Sequence, residues 1–124
     1  MIEYSIDESQ RLIRVRMTGS NSCADLERHY AEVYRDPKYN PSLRTLMEVD
    51  EDAGGPILTE IPKVRLVMEL AAHSPGALKR WAVVIPSSFK RTVLEFLLKD
   101  LDLKPLELRF FGDATTALNW LDAN

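Results

Sequence analysis

Ile2, Tyr4 and Ile6 alternate with polar residues in "IEYSID", and Ile13, Val15 and Met17 alternate with Arg14, Arg16 and Thr18 in "RLIRVRMTG". A period of two marks strands with one buried face. The short "DESQ" link between them makes an antiparallel hairpin the natural connection. From Ser22 the period lengthens, and Leu26, Tyr30, Val33 and Tyr34 share one face of a helix. Asn21 or Ser22 serves as its N-cap, and the prolines of "DPKYNPS" stop it.

"RTLMEV" gives a third strand. "LTEIPKVRLVMELAAH" predicts a second helix, with Thr59 as cap, Pro62 tolerated in the first turn, and Ile61, Val64, Met68 and Ala71 as its buried stripe. "RWAVVIP" reads as a largely buried strand. "SSFKRTVLEFLLKDLDL" follows as a helix capped by Ser87 or Ser88, with Phe89, Val93, Phe96 and Leu97 expected inward. "LELRFFG" is the last strand. "DATTALNWLDA" is the last helix, Asp113 capping and Ala114, Ala117, Leu118 and Leu121 packing. The order ββαβαβαβα predicts one α/β domain over residues 1–124. Its mixed sheet has about five strands, the hairpin first and mainly parallel pairing after it.

The alternation leaves Arg14, Arg16, Glu48, Glu107 and Arg109 on the side away from the apolar set. Parallel sheets covered on both faces read as unbroken apolar runs, and these strands do not. The expectation is therefore that helices sit mostly on one face and leave the other partly open. Pairing of Arg14 or Arg16 with Glu48 would contribute at most about 1 kcal/mol. The plain reading of that face is a solvated surface; the functional one is a docking surface for a partner or a second copy.

The hairpin "MIEYSIDESQRLIRVRMTG", the segment "ADLERHYAEVYRDPKYNPSLRTLMEVD" and the ending "LELRFFGDATTALNWLDA" together resemble the SpoIIAA-like, or STAS-like, family of small bacterial domains, related to anti-sigma-factor antagonists. The resemblance spans nearly the whole chain, and its motifs are packing patterns. It implies a mixed sheet with helices predominantly on one side, and a binding or regulatory module without catalytic activity. The antagonists carry a phosphorylatable serine in the loop after the third strand. That loop here is "DEDAGGPIL", with no hydroxyl before Thr59, so the switch is not carried over.

Composition adds bounds. The 124 residues are 45% hydrophobic and 28% charged, as in a globular domain, and the net charge of −3 offers no nucleic-acid footprint. No stretch is apolar enough to cross a membrane, and "MIEYSIDESQ" opens without a basic leader, so a cytoplasmic, bacterial-type protein is expected. Cys23 is the single cysteine, which excludes an internal disulfide.

The chemical candidates concentrate in one loop. Asp50, Glu51 and Asp52 could bind a divalent cation through clustered carboxylates, or they are ordinary solvated acids. Asp50-x-Asp52 departs from a phosphatase nucleophile motif, having Gly54 where a Thr or Val belongs, and an EF-hand starting at Asp50 would meet Ile61 where it needs an acid. Gly54 and Gly55 let the chain turn through positive φ. His29 beside the first helix's stripe and His73 near the end of the second have no nucleophile at a readable spacing.

Trp81 and Trp120 read as core or rim packing. The reading is a non-enzymatic module without cofactor or metal, binding a protein partner or its own copy through Asp50, Glu51, Asp52, Gly54, Gly55 and Thr59. The alternatives are a carrier of a small apolar, lipid-like ligand, with a pocket between the second and third helices, and a metal-dependent hydrolase using the Asp50–Asp52 loop.

Overall fold

The computed structural model describes residues 1–40, 42–53, 63, 66, 80–99 and 107–123. They form β1 (Ile2–Asp7), β2 (Leu12–Met17), α1 (Cys23–Arg35), β3 (Arg44–Val49), β4 (Arg80–Val84), α2 (Ser88–Leu98), β5 (Glu107–Phe111) and α3 (Ala114–Asp122). The helix predicted over "LTEIPKVRLVMELAAH", with Thr59 and His73, lies outside the described residues apart from Lys63 and Leu66. Gly54 and Gly55 lie outside them too.

Local chemistry sets the helix ends. Ser22 Oγ accepts from the Asp25 amide at 3.2 Å while the Asp25 carboxylate accepts from the Ser22 amide at 2.8 Å. This capping box satisfies two donors that the first turn leaves unpaired. Ser87 and Asp113 cap α2 and α3 by the simpler one-way bond, their side chains accepting from the amides of Lys90 and Thr116. In the hairpin turn Arg11 takes φ of 53°, a left-handed conformation.

The five strands stand in the sheet in chain order, β1-β2-β3-β4-β5. β1 pairs antiparallel with β2, and the other pairings are parallel. This order has a consequence for the layers. When successive parallel strands are always added on the same side, right-handed crossovers all fall on one face. The register shows which residues that face carries: Ile13, Thr45, Trp81 and Leu108 are aligned, and Val15, Met47, Val83 and Phe110 form the next row. Leu26 and Val33 of α1 join Ile13, Val15, Met17 and Met47 in one buried cluster.

The reverse face is divided. Leu12, Leu46, Ala82 and Val84 are buried beneath Ala117 and Leu121 of α3, which folds back after β5. Beyond α3, Arg14 and Arg16 are exposed and Glu48 is half-buried. So α1 and α2 take one face, and α3 lies mainly over β3–β5 on the other, reaching Leu12 at the start of β2. Arg109 is exposed and lies over the Trp120 ring at 5.3 Å; Arg80 lies over it at the same distance. Arg80 and Arg44 also donate to carbonyls at the end of α3, those of Trp120 and Leu121, at 2.9 and 2.6 Å. Cations at a helix C-terminus oppose its negative dipole end, so these arginines hold α3 against the sheet.

Two expectations are corrected. Arg16 pairs with Asp50 rather than Glu48: its guanidinium donates to both carboxylate oxygens at 3.1 Å. Asp50 continues the β3 line by donating its amide to the Met17 carbonyl, which brings its side chain alongside Arg16. Phe89 and Phe96 are largely exposed rather than buried, although Phe89 also lines the cavity between the sheet and the helices. They are 76% and 65% exposed, while Val93, Leu94, Leu97 and Leu98 are half-buried. The apolar arc of α2 is wide enough for two adjacent stripes, and period alone does not choose between them.

Candidate functional site

The inward rows of side chains on the sheet meet α1 and α2 across a gap. The cavity between them has a volume of about 410 Å³, in the range of small-molecule sites. Its floor is the covered sheet face, from Ile13 and Val15 through Met47 and Trp81 to Phe110. One wall is α1, through Leu26, His29, Tyr30 and Val33; the other is α2, through Val93, Leu94 and Leu98. Ala53 and Lys90 line it at the end where β3 gives way to the acidic loop. This cavity is walled among the described residues by α1 and α2; the pocket expected between the second and third predicted helices involves a helix that lies outside the described residues.

The lining is nearly all apolar, and the exceptions are informative. His29 and Trp81 are each 5% exposed. His29 Nδ1 and Trp81 Nε1 are buried without a hydrogen-bond partner. An orphaned buried donor or acceptor costs about 1–3 kcal/mol, so native folds carry few. The two belong to one aromatic run. The His29 ring meets Tyr4 edge-on at 5.8 Å and Tyr30 at 5.3 Å, and Tyr30 stacks on Trp81 at 5.3 Å with 15° between planes. Burial pulls the His29 imidazole down to about 4, so it is neutral at neutral pH. Burial likewise pushes the Tyr34 phenol up to about 12.

Residues Asp50–Ala53 of the acidic loop are held by several hydrogen bonds. Asp50 is gripped by Arg16, the Ala53 amide closes a turn on the Asp50 carbonyl at 3.0 Å, and Lys90 Nζ donates to the Glu51 carbonyl at 3.1 Å. Glu51 and Asp52 are exposed, and Asp50 is half-buried. Of the three carboxylates, Asp50 is thus paired with Arg16, whereas Glu51 and Asp52 face solvent. Among the described residues no three His, Cys, Asp or Glu side chains converge as a metal would require. Cys23 is buried. Gly54, Gly55 and Thr59, the remaining predicted contact residues, lie outside the described residues.

Sequence reasoning treated His29 and Trp81 as packing and missed their joint position. A signal was present: His29 falls between Leu26 and Val33 on the buried side of α1, and Trp81 is an inward residue of β4. Polar-tipped rings at two inward positions of facing elements invite the question of what satisfies them.

No family model matches the chain, and no curated protein matches it. A search of solved structures finds similarity to an uncharacterized protein of the DUF3478 family with a SpoIIAA-like fold from Shewanella loihica PV-4. The match has a TM-score of 0.63 and 20% identity, covering 97% of this chain and 93% of that one. The fold is SpoIIAA-like, as the sequence resemblance implied. Among the described residues no helix is long and apolar enough to cross a membrane.

Proposed function

We propose that this chain is a non-enzymatic binding module that holds a small, mainly apolar ligand between its sheet and helices α1 and α2. The observation that carries this is the cavity of about 410 Å³, floored and walled by apolar side chains. An apolar cleft of this size leaves side chains without the contacts that a packed core would give them. An occupant restores them.

The test is titration with a neutral apolar fluorophore such as N-phenyl-1-naphthylamine, for the native protein and Val83→Trp. Val83 is half-buried on the cavity floor, so the larger ring would occupy ligand space. Saturable binding to the native protein, weakened at least tenfold in the variant while its circular dichroism is unchanged, is expected. Equal binding by both would place the probe elsewhere and contradict the reading.

A second reading is favoured by the loop. Glu51 and Asp52 are exposed on a turn fixed from two sides by Arg16 and Lys90. Preorganised charge of this kind suits a basic surface on a protein partner or on a second copy of the chain, because little ordering entropy is lost on docking. A partner-capture experiment with Glu51→Ala/Asp52→Ala checks it: capture should fall severalfold and become insensitive to salt. Unchanged capture would remove the loop from the interface.

A further inference from the structure

We propose that the Phe89 ring is a clasp that folds over the outer end of the bound ligand. This rests on the apolar-ligand reading and names the residue that holds the ligand where the cavity meets solvent. Of the described residues that line the cavity, Phe89 and Lys90 are the exposed ones, so the cavity borders water at the first turn of α2. Phe89 is 76% exposed and still reaches the lining, so it belongs to both surfaces. Lys90 is engaged elsewhere. Its ammonium donates to the Glu51 carbonyl at 3.1 Å and ties this turn of α2 to the loop after β3.

The backbone beneath the ring is fixed. Ser87 Oγ accepts from the Lys90 amide at 3.2 Å, and the Arg91 guanidinium donates to the Ile85 and Pro86 carbonyls at 2.6 and 3.1 Å. A helical phenylalanine has two ordinary side-chain rotamers, so the ring can swing between solvent and cavity while the helix stays in place. Exposed side chains make such turns within nanoseconds, fast enough to follow a ligand in and out. With the cavity occupied, an inward swing removes apolar surface of the ring and of the ligand from water together, which is favourable. Phe96 is the natural comparison. It lies two turns further along the same side of α2 and is 65% exposed, but it stands outside the cavity lining, with the Lys99 ammonium over its ring at 4.3 Å.

Stopped-flow dissociation of N-phenyl-1-naphthylamine from the native protein, Phe89→Ala, Phe89→Leu and Phe96→Ala tests the clasp. Phe89→Ala should release the probe about tenfold faster, the factor expected when roughly half of a phenyl group's burial is lost. Phe89→Leu should fall between that variant and the native protein, and Phe96→Ala should match the native protein. A second readout needs no substitution. In native protein labelled with 4-fluorophenylalanine, the fluorine resonance that is missing from Phe89→Ala should shift when light water is exchanged for heavy water. It should lose most of that sensitivity once the probe is bound. An unchanged release rate in Phe89→Ala, equal acceleration in both alanine variants, or a fluorine resonance as water-sensitive with the probe as without it would each overturn the clasp while leaving apolar binding intact. Absence of saturable probe binding by the native protein would overturn the apolar-ligand reading itself.

Discussion

Leu46→Ala should cost about 3–4 kcal/mol of unfolding free energy, whereas Val83→Ala on the opposite face of the sheet should cost about 1 kcal/mol or less. Leu46 is fully buried, with Leu12, Ala82, Val84, Ala117 and Leu121 in its cluster. Removing its isobutyl group loses the transfer energy of the missing atoms and leaves a new void beneath α3. Val83 is half-buried and already borders open volume, so truncation enlarges a cavity that exists and strands few contacts. A single domain is stable by only about 5–15 kcal/mol, so the Leu46 variant should be visibly marginal. Urea denaturation of the three proteins reads the difference directly. Equal losses at the two positions would mean that both faces of the sheet are packed alike.

The second large effect is with pH. The folded-state pKa of His29 is lowered by burial to about 4 from its ordinary 6.5. Between those values the unfolded chain binds a proton that the folded chain refuses, so stability falls as pH is lowered through this window. By about pH 4.5 the loss attributable to this one group is about 2.5 kcal/mol, and above the upper limit it vanishes. Hydrogen bonds to nearby amides and hydroxyls lower the carboxylates of Asp7, Asp25, Asp36 and Asp113. Their stabilisation is lost at still lower pH and is common to native protein and variant. Comparing native protein with His29→Phe therefore isolates the imidazole. The variant should keep most of its stability from pH 7 to 4.5, and the native protein should not. Parallel declines would show that His29 titrates normally.

Much of the fold was legible because it depends on short-range pattern. The bounds of β3 follow from "RTLMEV" alone, and Ser22, Ser87 and Asp113 are caps because each hydroxyl or carboxylate can reach an amide three residues on. The open half of the reverse face was readable from Arg14 and Arg16 standing opposite buried neighbours. Other features depend on distance in space. Arg16 finds Asp50 at a separation of 34 residues, through the register of β2 on β3. The choice between two stripes of α2 depends on what the helix faces, so Phe96 was misplaced and Phe89, which lines the cavity, is far more exposed than expected. The cavity is the clearest case. Whether apolar side chains close a gap or stand around one is set by how far α1 and α2 are held from the sheet, and no hydrophobic pattern encodes that separation. The acids of the loop were legible as charges, but not as one gripped carboxylate and two free to face solvent.

A crystal of the protein equilibrated under xenon tests the hollow between sheet and helices most directly, since dry apolar cavities take up this gas. The account predicts one or more xenon atoms bounded by Met47, Trp81 and Leu94, with Leu46 and α3 unperturbed. A xenon-free map in which α1 and α2 side chains fill that volume would contradict it.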